Sequence, residues 1–213
     1  MKIAIRVDSS LQIGSGHVMR CLTLADILKN DAGILFLCRP HEGNLISLIR
    51  AKGFLVRVLE NPTGISDPNL MHSEWLGATQ KQDIDQCLNL LKEEYFDWMI
   101  VDHYALDIVW QSAMKKCYKK LLVIDDLGDR RHSCDVLLDQ NYGSDHRKYY
   151  NLVPKKCLLL LGPEFALLRE QFAKLREKSL KRRLEPVVKK ILINLGGVDK
   201  KDQTSEILKR LND

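Results

Sequence analysis

The sequence contains no apolar run of the roughly 18 residues needed to cross a lipid bilayer. Its opening stretch, M-K-I-A-I-R-V-D, is too short an apolar segment for a secretory signal peptide and reaches Asp8 at once. We therefore expect a cytoplasmic protein without membrane insertion. The opening stretch instead predicts the first strand of a fold.

The cysteines lack the spacing of a metal site. The six of them are scattered, with no C-x-x-C pair and no zinc-like pattern. Most lie in apolar runs such as F-L-C-R-P and K-C-L-L-L-L, where a reduced cysteine packs as a small hydrophobic residue. We predict free thiols in the core, no metal and no cofactor.

Aromatic residues are scarce, at 7% of the chain, and their scarcity bears on the basic segment Lys174–Lys190. A nucleic-acid-binding surface would combine such a segment with aromatic side chains or a known binding module, and neither is present. We interpret the segment as a solvated helix face and linker, with an anionic partner as the alternative. Nucleic acid is not an expected partner.

Apolar runs typical of buried strands alternate with amphipathic stretches. Strands are predicted at Lys2–Val7, Ile34–Cys38, Leu55–Leu59, Trp98–Val101, Leu121–Ile124, Val136–Leu138 and Leu158–Leu161. Helical periodicity marks Val18–Lys29, Asn44–Ala51, Ile84–Glu94 and Asp107–Cys117. This alternation predicts an α/β fold, a Rossmann-like parallel sheet with helices on both faces.

The composition changes at Pro186. Before it, Phe165–Leu184 predicts a basic helix and a connector. After it, a predicted strand over Val187–Asn194 runs into the turn L-G-G-V-D and a last helical stretch. One strand, turn and helix cannot bury their own apolar faces. We therefore expect an N-terminal domain at residues 1–185 and, at 186–213, the first unit of a second, truncated Rossmann-like domain.

The segment I-G-S-G-H joins the first predicted strand to the first predicted helix. In an open parallel sheet, this loop lies at the carboxyl edge, where ligands bind. Gly14 and Gly16 permit positive φ and close approach of a ligand, and the helix start offers free N–H groups to an anion. His17 and Arg20 share a helix face. The helix dipole is expected to lower the pKa of His17, so that a neutral imidazole accepts a proton.

Taken alone, G-x-G is a weak signal, and a structural turn with an exposed histidine is an alternative interpretation. Met19 occupies the place of the third glycine of a dinucleotide-binding fingerprint, so that fingerprint is absent. Further motifs nevertheless follow along the chain. They are R-P-H-E-G-N-L, V-D-H-Y, I-D-D, C-D-V-L-L-D-Q-N, G-P-E-F-A-L-L-R-E-Q-F and N-L-G-G-V-D.

Together with R-V-D-S-S-L-Q-I-G-S-G-H-V-M-R-C, this ordered series resembles the PseG-type UDP-sugar hydrolases over essentially the whole chain. That family is similar in fold to the two-domain GT-B glycosyltransferases of the MurG type. The resemblance implies hydrolysis of a UDP-linked 2,4-diacetamido-2,4,6-trideoxy sugar in pseudaminic acid biosynthesis. The expected partner is therefore a small nucleotide sugar, and the products are UDP and the free sugar.

The resemblance also implies roles for individual residues. Water would attack the anomeric carbon, with the motif histidine, here His17, as the general base. Asp8 would orient His17 or bind a sugar hydroxyl, with an Asx turn as its alternative role. Helix N-termini, without a metal, would stabilise the departing diphosphate.

Further candidates follow other predicted strands. His103 and Tyr104 are expected to contact the sugar or its acetamido groups; the alternative is that Asp102 is a cap and that these two neighbours are partly buried. Asn141 is a weaker candidate of the same kind. Asp125 and Asp126 are expected in turn and cap roles, because successive strand residues point to opposite faces and rarely share a metal ion.

Three histidines in polar surroundings, His72, His132 and His146, are expected at the surface.

Gly196 and Gly197 resemble the loop that holds the nucleotide diphosphate in this fold, although Val198 stands where the family has Thr or Ser. Two alternatives remain beside the hydrolase: a GT-B glycosyltransferase with a separate acceptor, and a non-catalytic sugar-binding lobe.

Overall fold

A computed structural model describes residues 1–61, 72–184, 187–188, 190–195, 199 and 202–212. These residues fall into two compact units, Met1–Leu167 and Leu168–Asp213. The boundary that we predict near residue 186 lies at residues outside the described ranges and stays a prediction. Among the described residues, no helix is both long enough and apolar enough to cross a membrane.

The first unit is built on one sheet of seven parallel strands in the order β3-β2-β1-β4-β5-β6-β7. The strands are β1 (Lys2–Val7), β2 (Gly33–Cys38), β3 (Leu55–Val58), β4 (Phe96–Asp102), β5 (Tyr118–Ile124), β6 (Val136–Asp139) and β7 (Leu158–Leu161). The α-helices of this unit are α1 (Gly16–Leu28), α2 (Ile46–Ala51), α3 (Gln80–Leu91) and α4 (Ile108–Ala113). The α/β, Rossmann-like fold predicted from the sequence is confirmed.

Both faces of the sheet are covered, as continuous apolar strands require. Along β1, Ile3 and Ile5 pack with the buried face of α1, whereas Ala4 belongs to the core on the opposite side. Successive side chains of a strand point to opposite faces, so each strand contributes to both cores. The cysteines are free thiols, five of them buried and Cys157 half-buried, as the apolar runs around them predicted.

The strand order places the carboxyl ends of β1 and β4 side by side. The chain proceeds from β1 through β2 to β3 on one side and continues with β4 on the other. In the parallel pairing of β1 with β4, Val7 lies opposite Asp102. Such a reversal of strand order opens a crevice between the loops that follow the two strands. The loop after Val7 therefore meets the segment that follows Asp102.

Four charged side chains are buried beneath this edge. Arg6, Asp8, Arg39 and Asp83 are each at most 1% exposed. Arg6 contacts Asp8 through Nη1 at 2.6 Å and Asp83 through Nη2 at 2.7 Å. Arg39 Nη2 lies 2.7 Å from the same Asp83 oxygen, and Trp110 Nε1 donates to the other Asp83 oxygen at 2.8 Å. Two positive and two negative groups therefore balance one another out of contact with water.

The expectation that His132 lies at the surface is wrong, since the residue is only 1% exposed. His132 is bound by Gln111. The Gln111 Oε1 accepts the Ser133 N–H at 2.7 Å, which identifies the other atom of the amide as Nε2, and this Nε2 donates to His132 Nδ1 at 2.9 Å. Burial, followed by the charge of Arg130, lowers the pKa of His132 to about 4. Polar neighbours in sequence thus accompany a buried side chain whose polar partners come from elsewhere in the fold. His146 is exposed, as expected, and His72 is half-buried.

In the second unit, the described residues form two helices, α5 (Glu170–Arg182) and α6 (Gln203–Asn212). Both agree with predicted helical stretches, and Asp199 accepts the Gln203 N–H at 2.9 Å near the start of α6. The strand predicted over Val187–Asn194 is not formed by the residues described there, which have no regular secondary structure. A strand is stabilised by hydrogen bonds to a neighbouring strand. An apolar run in the sequence does not by itself provide that neighbouring strand.

We expect Asp83→Asn to lower the free energy of unfolding by about 3–5 kcal/mol, because it leaves two buried guanidinium groups short of a negative charge. Burial alone would raise the pKa of Asp83, but the charges and hydrogen bonds of Arg6 and the charge of Arg39 hold it below the ordinary value. Urea denaturation at pH 7 measures the loss. Asp85→Asn, on the exposed face of the same helix, is the matched control and should change stability by less than about 0.5 kcal/mol. Equal effects of the two substitutions would contradict this account of the network.

Candidate functional site

A narrow pocket lies at the point where the strand order reverses. Its lining comes from the loop after β1, the start of α1, the end of β4 with the residues beyond it, and the 3-10 helix Ser73–Leu76. The lining residues are Asp8, Ile13, His17, Trp75, Asp102, His103 and Tyr104. Four of the residues predicted to form a site are therefore brought together here: Asp8, His17, His103 and Tyr104.

The glycine turn is shaped by Ser10. Its carbonyl accepts the N–H of Gly14 at 2.8 Å, and its hydroxyl accepts the N–H of Ile13 at 2.9 Å. Gly14 has a φ of 82°, which confirms the predicted need for glycine. Gly16 is instead the first residue of α1 and its φ is not positive, contrary to the same expectation. A Cβ atom at either glycine would have no neighbour within 4 Å, so a ligand has room to approach the backbone.

His17 is bound to Asp102. His17 is buried, with 8% of its surface exposed, whereas the alternative interpretation of the turn expected an exposed histidine. Its Nδ1 lies 2.6 Å from Asp102 Oδ1. An ionised carboxylate only accepts hydrogen bonds, so Nδ1 donates to Asp102, and in the neutral form of the imidazole the lone pair is on Nε2. Burial raises the pKa of Asp102, but the charge of His17 and the hydrogen bonds from Arg20 and His17 outweigh it and hold that pKa well below the ordinary value. The pair therefore presents Nε2 as a proton acceptor.

Arg20 also binds Asp102. Its Nε and Nη2 each lie 2.6 Å from one oxygen of the carboxylate, and Nη1 lies 3.6 Å from Asp126 Oδ2. Arg20 and His17 share a helix face, as their spacing predicted. The bidentate contact fixes the plane of the carboxylate, and therefore the direction in which it faces His17.

Tyr104 packs edge-on against the imidazole of His17, with ring centroids 4.7 Å apart and an interplanar angle of 83°. Its hydroxyl donates to Asp126 Oδ1, and burial followed by this hydrogen bond raises its pKa. The hydroxyl therefore stays protonated at neutral pH. Asp126 links Tyr104 to Arg20, which extends the hydrogen-bonded chain from the carboxyl end of β4 to that of β5.

Asp8 does not contact His17, contrary to one of the roles expected for it. Its Oδ1 accepts the Arg39 N–H at 2.7 Å, and its Oδ2 faces His103 Nε2 at 3.3 Å and His41 Nε2 at 3.6 Å. The Ala105 N–H donates to His103 Nδ1 at 3.1 Å, which leaves the His103 proton on Nε2, toward Asp8. Burial lowers the pKa of His103 despite the facing carboxylate.

One predicted residue lies elsewhere. Asn141 is exposed beyond β6, two strands from β4, and does not line the pocket. Gly196 and Gly197 lie outside the described residues.

Two residues that the sequence did not single out are central to the pocket. Asp102 was interpreted as a cap, although its place at the carboxyl end of a strand next to β1 is a signal that could have marked it. Trp75 follows a turn-rich stretch that gives no sign of its proximity to His17, which arises only in the folded chain.

Curated relatives were found for this chain, whereas no protein-family model matches it. A UDP-2,4-diacetamido-2,4,6-trideoxy-beta-L-altropyranose hydrolase of Campylobacter jejuni is 31% identical over 212 residues, which are 99% of this chain. An uncharacterized protein of Methanocaldococcus jannaschii is 28% identical over 216 residues. The chain spans 66% of the length of the first relative and 40% of the second.

We expect the free energy of unfolding to fall as the pH is lowered from 6.5 to 5. The pKa values of His103 and His132 lie below the ordinary 6.5 in the folded protein. In this window the unfolded chain therefore binds protons that the folded protein does not. His132 contributes up to about 1.4 kcal/mol per pH unit, and His103 acts in the same direction. The pKa values of the buried carboxylates Asp8 and Asp83 are lowered from 3.8. These two groups therefore decrease the free energy of unfolding further only below pH 3.8.

Urea denaturation across this pH range measures the slope. In His132→Asn, the slope of the free energy of unfolding against pH should decrease by the contribution of one histidine. If the slope is the same in the variant and the wild type, His132 does not stay neutral in the folded protein.

Proposed function

Since this chain belongs to the family of the PseG-type UDP-sugar hydrolases, we propose that it activates water for the hydrolysis of a UDP-linked 2,4-diacetamido-2,4,6-trideoxy sugar. The observation that carries the proposal is the contact of 2.6 Å between His17 Nδ1 and Asp102. A histidine whose Nδ1 donates to a buried carboxylate is held in the tautomer that accepts a proton at Nε2. The relative from Campylobacter jejuni, which acts on such a sugar by its name, supports the choice of substrate.

In the proposed reaction, His17 Nε2 takes a proton from a water molecule as the water oxygen bonds to the anomeric carbon. The bond from that carbon to the diphosphate oxygen breaks, and its electron pair leaves with UDP. The products are the free sugar and UDP, and the proton on His17 is later lost to solvent. Asp102 stabilises the imidazolium, because its carboxylate remains ionised throughout.

The other residues of the pocket are proposed to bind the sugar. Asp8 Oδ2 and His103 lie on the polar side of the pocket, where a sugar hydroxyl or acetamido group would complete their hydrogen bonding. Gly14 and Gly16 leave room for the ligand beside the backbone. Arg20 is proposed to act through Asp102 rather than by direct contact.

The remaining proposals concern Asn141 and the two glycines Gly196 and Gly197. Asn141 would reach the substrate only from beyond β6. Gly196 and Gly197 are proposed to hold the diphosphate through their backbone N–H groups, as the resemblance implies.

Water and a sugar acceptor are distinguished by an assay without acceptor. The protein is incubated with the UDP-linked trideoxy sugar in water enriched in ¹⁸O, and both products are analysed by mass spectrometry. Attack by water at the anomeric carbon predicts one ¹⁸O in the free sugar and none in UDP. Label in UDP would mean attack at phosphorus, and the absence of turnover without an added acceptor would favour a glycosyltransferase or a sugar-binding lobe.

We expect His17→Asn to lower kcat by about 10²–10⁴, the usual contribution of a positioned general base. UDP binding should change little, because the proposed diphosphate site at Gly196 and Gly197 does not involve His17. Steady-state kinetics and calorimetry with UDP measure the two effects. His146→Asn, at an exposed position, is the matched control with unchanged turnover. Near-normal hydrolysis by the His17 variant would exclude it as the base.

Asp102→Asn tests the positioning of the imidazole. The side-chain amide would donate to Nδ1 and so favour the tautomer that carries its proton on Nε2, which cannot accept one from water. We expect a loss of kcat of at least about 10²-fold. ¹⁵N NMR of the imidazole should report the change of tautomer, and a purely structural role would leave the tautomer unchanged.

A further inference from the structure

One side of the pocket is aromatic. Trp75 lies with its ring centroid 6.4 Å from that of His17 and 5.6 Å from that of Tyr104. His72 stacks on Trp75 with centroids 4.5 Å apart and also contacts Tyr104 at 5.6 Å. We call His72, Trp75 and Tyr104 the aromatic wall.

We infer that Trp75 determines specificity by binding the methyl-bearing face of the sugar beside His17. This inference rests on the proposed function and adds to it the part of the substrate that this pocket selects.

The segment that carries Trp75 is fixed on both sides. Leu76 is 1% exposed within the core, and Glu74 Oε1 accepts a hydrogen bond of 2.7 Å from Gln12 Nε2 in the glycine turn. Gly77 ends the 3-10 helix with a φ of 63°, and a Cβ atom there would lie 2.7 Å from His41 Cε1. The indole is therefore held relative to the loop that delivers His17.

The pocket is divided by polarity. Asp8, Asp102 and His103 are buried polar groups, whereas the rings of Trp75 and Tyr104, with Ile13, supply apolar surface. Trp75 lines the pocket and is half-buried, so the residue is not enclosed in the core. A ligand that fills this pocket therefore needs one polar side and one apolar side.

The position of the aromatic wall favours the sugar over the uracil ring as its occupant. The anomeric carbon must lie within reach of the water that His17 is proposed to activate. The ring centroid of Trp75 lies 6.4 Å from that of the same imidazole. The uracil ring of a UDP-sugar is separated from the anomeric carbon by the ribose and two phosphates. The pyranose is therefore the part of the substrate that can contact His17 and Trp75 together.

The substrate of the family relative has apolar groups for this surface. A 2,4-diacetamido-2,4,6-trideoxy sugar carries a methyl group at C6 and one on each acetamido group. Against an aromatic surface a methyl group is buried without loss of a hydrogen bond, whereas a C6 hydroxyl would be left unpaired. A single such difference is worth about 10- to 200-fold in kcat/KM.

The test compares two UDP-sugars, the 6-deoxy substrate and its 6-hydroxy analogue, with the wild type, Trp75→Ala and Trp75→Phe. We expect the wild type to prefer the 6-deoxy sugar by at least about tenfold in kcat/KM. Trp75→Ala should reduce that ratio toward one, and Trp75→Phe should restore most of it. Tyr95→Ala, a half-exposed aromatic residue just before β4 at the opposite edge of the sheet, is the matched control with an unchanged ratio.

The ratio separates selectivity from stability, because partial unfolding of a variant lowers both kcat/KM values equally. An unchanged ratio in Trp75→Ala would overturn the inference, whatever the absolute activity.

Direct binding of the free 2,4-diacetamido-2,4,6-trideoxy sugar separates this inference from the proposed function. The chain has three tryptophans, and the sugar should quench the emission of the wild type but not that of Trp75→Phe. Quenching that depends on Trp75 without hydrolysis would retain the sugar-binding wall and reject the reaction. Hydrolysis by the wild type without any quenching would reject the wall and retain the reaction.

Discussion

Burial of balanced charge beneath the carboxyl edge of the sheet is the constraint on which the pocket depends. Arg6 projects from β1 into the core and is neutralised by Asp8 and Asp83, while Arg39 contacts the same Asp83 oxygen as Arg6 Nη2. A buried ion is costly unless it is paired and hydrogen-bonded, so these groups tolerate few other arrangements. The network joins β1 to α3 and to the segment after β2, and it sets the position of Asp8 at the floor of the pocket.

A second carboxylate sets the chemistry. Asp102 receives His17 and Arg20 from α1, so one helix turn and one strand end define the imidazole tautomer. Arg20 in turn lies near Asp126, which accepts the hydroxyl hydrogen of Tyr104, whose ring packs on His17. The imidazole is thus held by a carboxylate on one side and by an aromatic ring on another.

In the proposed function, one side of the pocket serves the reaction and the other serves recognition. The polar side would hold the proton acceptor and the buried carboxylates, where groups already in position would stabilise a developing charge. The aromatic wall is proposed to contribute contact area to the sugar, and so to distinguish substrates without altering the base. A substitution in the wall is therefore expected to act on selectivity, whereas one in the Asp102 pair acts on turnover.

The sequence by itself determined the elements of the first unit, because hydrophobic periodicity and the positive φ of Gly14 are local properties of the chain. The strand from Lys2 to Val7 and the buried stripe of α1 form as predicted. The site motif also placed His17 correctly at the start of a helix.

Only the tertiary structure decided which groups meet. His17 and Asp102 are 85 residues apart and become neighbours through the pairing of β1 with β4. The burial of His132 and the approach of Trp75 to His17 also arise only in the folded chain. The strand expected after residue 186 is absent from the described residues because a strand depends on a partner, which no local pattern can provide. Local patterns fix the conformation of a segment, whereas hydrogen bonds and ion pairs between distant segments depend on how the whole chain packs.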